Sequence, residues 1–186
     1  MNVTWYVARA SGLVAFVLIT LSVCIGLLMS GRARSTRWPR FALEDVHGFA
    51  GMLAGSFIVI HGAALFVDSY LPFSLSQLIV PGTAPYRPLA TALGIVAAEL
   101  LLALAVTNRY RRQIPHRVWR RAHYLNFAVW TMALVHGLTA GTDTRTLWAG
   151  ILYTVSASAV AGLTVWRVLD PAPVPRRALT ESSPSS

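Results

Sequence analysis

The sequence predicts an all-α integral membrane bundle of five transmembrane helices, with the N-terminus outside and the C-terminus in the cytoplasm. Three observations carry that reading. Of 186 residues, 55% are hydrophobic and only 12% charged, about half of the ~25% charge that coats a soluble domain. Five windows long enough for a membrane span hold almost no charge. The arginines between the windows fall overwhelmingly on one side.

A helix needs about 20 apolar residues to cross roughly 30 Å of hydrocarbon. Residues 10–31, 46–67, 122–142 and 146–166 are uncharged, and residues 88–108 are interrupted only by Glu99. Alternation is missing, and lipid admits only helices or closed barrels, so these windows read as helices. The first lacks a basic segment before it and is too long for a signal-peptide core, so it reads as a retained helix. Trp5 and Tyr6 at one edge, and Trp38, Trp119 and Trp166 at the other, suit interfacial aromatic belts.

All 16 basic residues are arginine. The connections between windows one and two and between three and four, together with the segment after window five, hold thirteen of them, against Arg9, Arg87 and Arg145 on the opposite side. That asymmetry puts the thirteen in the cytoplasm. It also accounts for the net charge of +9 as a topology device. Nucleic-acid binding is not expected, because the arginines share no single exposed face. Residues 68–87 are apolar, contain three prolines and are too short to cross and return, so they are expected in the interface or over the helix ends. Residues 170–186 are Pro/Ser-rich and read as a disordered cytoplasmic tail after a domain of residues 1–169.

Cys24 is the single cysteine, which excludes an internal disulfide, a four-cysteine zinc site and a cysteine-held iron–sulfur cluster; it reads as a small buried hydrophobe. No Gly-rich nucleotide fingerprint follows a strand, and the cytoplasmic segments are too short to house a flavin or nicotinamide domain.

The histidines are more specific. Four of the five lie in the windows: His47 and His61 in the second, His123 and His136 in the fourth. A histidine in hydrocarbon is costly and marks function by default. The pairs are spaced 14 and 13 residues, about 20 Å along a helix. Both windows run in the same direction, so His47 matches His123 in depth and His61 matches His136. Two imidazoles from two helices at one depth suit the axial positions of a haem iron, and two such layers make a two-step electron path. Fourteen residues return to within about 40° of the starting face, whereas thirteen leave about 140°. The fourth window therefore needs a kink or π-bulge, or its rings must approach from different sides. Gly48, Gly62 and Gly137 follow three of the histidines, and Gly51 with Ala54 lies between the layers. These small residues either make room for a flat macrocycle or let helices approach, as Gly51 and Gly55 do in small-xxx-small contacts.

The motifs HGFAGMLAGSFIVIH in the second window and HYLNFAVWTMALVHG in the fourth resemble the ferric reductase-like transmembrane domain superfamily. That superfamily includes eukaryotic ferric reductases, NADPH oxidases and the haem subunit of the bacterial methionine sulfoxide repair system. WYVARASGL, LEDVHGF, DSYLPFSLSQLIVP, YRPL and AHYLNF extend the resemblance to short actinobacterial members over residues 1–168. The resemblance implies two b-type haems, an inner one on His47 and His123 and an outer one on His61 and His136. It also implies a multi-pass protein of the bacterial plasma membrane. The chain differs from the oxidases in having one helix fewer and no C-terminal flavin/NADPH module, so no flavin or nicotinamide site is expected in it.

Other residues carry two readings each. Glu99 is a proton relay or quinone contact, or a protonated packing residue with Ser156 or Ser158 as partner. Arg9 and Arg87 suit outer haem propionates or are interfacial arginines, and Arg40, Arg120 and Arg121 would serve the inner haem or topology alone. Trp130 lies between the macrocycles or packs in the core. His116 follows Pro115 in the arginine-rich connection and reads as a surface residue.

The expected function is a membrane cytochrome b, the transmembrane electron-transfer subunit of an oxidoreductase. Electrons would come from a quinol or separate reductase and pass to an extracytoplasmic acceptor, either ferric iron or a flavoprotein. The resemblance points to an FMN-binding protein as that acceptor. The alternatives are a haem-free bundle acting as a small permease or assembly subunit, and a haem-bearing sensor or anchor.

Overall fold

The computed structural model describes residues 3–30, 39–69 and 71–169; Arg32, Arg34, Arg37, Trp38 and the expected tail at 170–186 lie outside the described residues. Seven helices follow in order: α1 (Val3–Ser30), α2 (Arg40–Val67), α3 (Leu75–Ile79), α4 (Pro88–Arg109), α5 (His116–His123), α6 (Asn126–Ala140) and α7 (Leu147–Leu169). No strand occurs among the described residues. Four helices, α1, α2, α4 and α7, are long and apolar enough to cross a membrane.

The fourth window behaves differently. It is broken at Tyr124–Leu125 into α5 and α6, and α6 has 15 residues. That is about 22 Å of rise, short of the hydrocarbon thickness. The break is a tightened turn: Leu125 N–H donates to Ala122 O at 2.9 Å and Phe127 N–H to Tyr124 O at 3.1 Å, both i→i−3 bonds of 3₁₀ type. A kink, one of the two arrangements that the 13-residue histidine spacing allows, therefore sits directly after His123, which is the last residue of α5.

α1 is the central rod. It runs antiparallel along α2 and also packs on α6 and α7, while α4 packs on α6. Phe16, Ile19, Val23 and Leu27 form its buried stripe, meeting Ala54 of α2, Trp130 of α6, and Ala149, Tyr153 and Val160 of α7. Ala54 and Ala149 are both 0% exposed. Lipid provides no hydrophobic drive between helices, so small residues at such crossings let backbones approach and gain dispersion contacts. Gly51 belongs to the same contact, since a Cβ there would lie 3.9 Å from Ser22 Oγ. Outward positions remain apolar, with Met52, Val59, Leu102 and Val155 all exposed. A face of that kind suits lipid rather than water.

From the connection between α2 and α4, Leu71, Phe73, Leu78, Ile79 and Tyr86 line the same cavity as His61. Asp68 is buried and accepts from Thr4 Oγ1 at 2.6 Å and Leu71 N–H at 3.0 Å. α3 within it has a capping box from Ser74 and Gln77, which satisfies two otherwise orphaned N–H groups. Arg87 then adopts a left-handed backbone, φ 42° and ψ 65°, before Pro88 opens α4. That conformation costs a non-glycine residue about 1–2 kcal/mol. It is held by contacts to the C-terminus of α6: the Arg87 guanidinium donates to Thr139 O, and Tyr86 Oη donates to Ala140 O at 3.2 Å. Those carbonyls lack helical partners, and a cation beside them offsets the negative helix end.

Candidate functional site

The four histidines meet as two pairs. The rings of His47 and His123 have centroids 6.0 Å apart at an interplanar angle of 63°. Those of His61 and His136 are 6.4 Å apart at 81°. The depth matching read from the sequence thus corresponds to ring-to-ring proximity at both levels. Among the described residues, no group of three or more His, Cys, Asp or Glu side chains gathers as a metal-ligand set.

Three of the imidazoles are seated by one repeated device. His61 Nδ1–H donates to Ala8 O at 2.7 Å, His47 Nδ1–H to Ser22 O at 2.9 Å, and His136 Nδ1–H to Ala90 O at 2.8 Å. A carbonyl only accepts, so Nδ1 carries the proton in each. The neutral ring then keeps its lone pair on Nε2, the tautomer needed for ligation there. Four residues after each carbonyl stands a glycine: Gly12, Gly26 and Gly94. A Cβ on Gly12 would lie 3.0 Å from His61 Nδ1, one on Gly94 2.7 Å from His136 Nδ1, and one on Gly26 3.4 Å from His47 Cε1. The missing side chain lets the ring edge reach a backbone carbonyl that a helix would otherwise shield. Gly12 and Gly26 are 14 residues apart on α1, as His61 and His47 are on α2, so one antiparallel register seats both rings. This set of glycines was not singled out in the sequence. Its signal was there, as small-xxx-Gly repeated at the histidine spacing.

Around His61 and His136 lies a cavity of about 690 Å³, lined also by Trp5, Arg9, Phe73 and Tyr153. The size falls in the range of cofactor and ligand pockets. Arg9, expected at the outer edge, lines it and forks onto Asp143, with Nε to Oδ2 at 2.9 Å and a second bond from Nη2 to Oδ1. A bidentate pair of this kind fixes the guanidinium in place. Gly48 and Gly62 face open space, whereas a Cβ on Gly137 would meet Tyr153 Oη at 2.6 Å. Gly137 therefore admits Tyr153 rather than a macrocycle.

The His47/His123 level is built differently. His123 lacks a carbonyl partner for Nδ1, whose neighbour is Asn126 Nδ2 at 3.4 Å, and that amide donates to His123 O at 2.8 Å. Trp119 stacks on His123 with centroids 5.2 Å apart and a 26° tilt, and the ring of exposed His116 lies 5.6 Å from that of Trp119. Arg120 and Arg121 are exposed, and Arg40 pairs with Glu44 at 3.3 Å.

Other candidates sit elsewhere. Trp130 is buried in the core and donates from Nε1 to Thr20 Oγ1 at 3.0 Å; it is a packing residue that ties α6 to α1. Glu99 is exposed on α4 and bonds to neither Ser156 nor Ser158. Arg87 caps α6 instead of lining the cavity.

The donor set fits a tetrapyrrole held by two axial imidazoles. A metal–imidazole bond of about 2 Å and roughly 1.1 Å from nitrogen to ring centre set two axial ligands about 6.2 Å apart between centroids. Both observed separations fall beside that value. Ligating histidines usually donate their second nitrogen to a carbonyl or carboxylate, as three of these do. No protein-family model, curated protein or solved structure matches the chain.

Proposed function

We propose that this chain is a membrane b-type cytochrome that carries electrons across the bilayer. The five sequence windows would be five crossings, the broken α5–α6 segment being the fourth, with the N-terminus outside. The donor would be a quinol or separate reductase, and the acceptor an extracytoplasmic flavoprotein or ferric iron. The observation that supports this reading best is the pairing of imidazoles at two depths, 6.0 and 6.4 Å between centroids. Held between His47 and His123 and between His61 and His136, haem would supply one-electron redox chemistry.

The chain's own residues would do the rest. His47 with His123 and His61 with His136 would hold the two groups. Ala8, Ser22 and Ala90 carbonyls, exposed by Gly12, Gly26 and Gly94, fix ring orientation and raise ligand basicity through Nδ1. The apolar wall of the cavity around His61 and His136 would exclude water, and Arg9, held by Asp143, would place positive charge at its edge to face a carboxylate.

The test is reconstitution into sealed vesicles with ferricyanide enclosed and a water-soluble quinol outside. Quinol-dependent ferricyanide bleaching supports the reading. Absence of bleaching in vesicles whose protein carries haem favours the sensor or anchor class.

A further inference from the structure

The cavity around His61 and His136 holds a hydroxyl that the polypeptide leaves unused. Tyr86, Thr91 and Thr144 line that cavity, and each spends its hydroxyl on a backbone carbonyl, at 3.2, 2.7 and 2.8 Å. Tyr153 reaches the same cavity from α7, and its Oη makes no hydrogen bond among the described residues. The residue is 7% exposed, so the phenol lies almost wholly inside the bundle. Its oxygen is nonetheless open to the cavity, since among the described residues Trp119 Nε1 is the only side-chain polar atom both sealed by protein and unpaired. A buried tyrosine hydroxyl ordinarily finds a partner.

The ring is held where it stands. Phe16 packs on it at 5.2 Å between centroids, and its Oη lies 2.6 Å from where a Gly137 Cβ would be. Gly137 follows His136, which places the hydroxyl beside the outer imidazole pair. The rim of a b-type tetrapyrrole is apolar apart from its carboxylates, so an O–H donor at that rim meets a carboxylate. Arg9 alone leaves such a charge poorly matched, because Asp143 already engages the guanidinium through two bonds. A neutral donor adds a charge-assisted bond there without a further ion.

We propose that the Tyr153 hydroxyl donates to a carboxylate of the tetrapyrrole held between His61 and His136, making Tyr153 an anchoring residue of that site. This rests on the cytochrome reading.

The experiment uses the full chain in detergent, loaded with haem or with haem dimethyl ester, which lacks the carboxylates. Excess apomyoglobin takes up what is released. Wild type should release in two phases, and the phase that His136→Leu lacks belongs to the His61/His136 level. Tyr153→Phe keeps the ring and its packing on Phe16 and removes only the hydroxyl. With haem it should speed that phase about tenfold and leave the other within about twofold. With the ester, wild type and Tyr153→Phe should release alike, because the acceptor is gone. Equal rates with haem overturn the proposal. So does a variant that speeds ester release as much as haem release, which is the mark of looser packing. Should Tyr153→Phe fail to fold, infrared difference spectra of wild type grown on ring-¹³C tyrosine decide it. One tyrosine C–O band should shift on loading with haem and stay in place with the ester, and an unshifted band overturns the proposal. A wild-type protein that binds no haem at all sinks the cytochrome reading itself, an outcome distinct from these.

Discussion

His61 and Gly12 are in contact through an absence: the imidazole of His61 occupies the space where a Gly12 side chain would stand, with Nδ1 only 3.0 Å from that missing Cβ. From there it reaches the Ala8 carbonyl at 2.7 Å. The same geometry recurs at His136 with Gly94 and, less tightly, at His47 with Gly26. Alanine substitutions should therefore grade with the clearance. Gly94→Ala, at 2.7 Å, should weaken haem binding most, by about 10- to 100-fold. Gly12→Ala should follow, and Gly26→Ala, at 3.4 Å, should cost a few-fold at most. Haem titration of the three apoproteins measures the order, and equal effects would show that ring seating does not govern binding.

Removing one ligand should empty one level and spare the other. His136→Leu keeps the bulk of the ring but loses its nitrogens, and His123→Leu does the same at the other level. Each purified variant should carry about one haem where wild type is expected to carry two. A variant with none would mean that the levels load together rather than independently.

The helices and the histidine depths were legible because both rest on local arithmetic. Charge-free length reports a span, and 1.5 Å per residue converts spacing into depth. The 13-residue spacing asked for a helix fault or for rings approaching from different sides, and a fault stands at Tyr124–Leu125. What escaped lay in partners across the fold. Gly12, Gly26 and Gly94 follow no histidine in the chain, and their role appears only when α1 lies beside α2 and α4 beside α6. Arg9 and Asp143 are 134 residues apart, and nothing in either neighbourhood announces the pair. Glycines after the histidines drew attention by adjacency, yet Gly48 and Gly62 touch nothing within 4 Å.

Asp143 holds Arg9 at the cavity edge, with side chains 27% and 21% exposed for Arg9 and Asp143. Asp143→Asn should leave that guanidinium without its counter-charge and lower stability by about 1–2 kcal/mol. Thermal unfolding in detergent checks it. An unchanged melting temperature would show the pair to be incidental.

Trp130→Phe distinguishes packing from electron transfer. Loss of the bond to Thr20 should cost about 1 kcal/mol, with haem content, visible spectrum and the rate of quinol-driven ferricyanide reduction all within twofold of wild type. A tenfold slower rate in a fully loaded protein would restore Trp130 as part of the electron path.

Membrane-impermeant maleimide tests whether α4, the third of the five proposed crossings, spans the membrane. In a Cys24→Ser background, Ser76→Cys on α3 should label from outside intact cells, and Gln113→Cys between α4 and α5 only after lysis. Labelling of both from one side would mean that α4 does not cross.

The most direct measurement is the haem content and ligation of the purified chain, by pyridine haemochrome assay and low-temperature electron paramagnetic resonance. Two b-type haems per chain are expected, both low-spin with two imidazole ligands, with loss of one signal in each histidine variant. A chain purified from haem-replete cells with no haem, or with high-spin iron carrying a single imidazole, would contradict it.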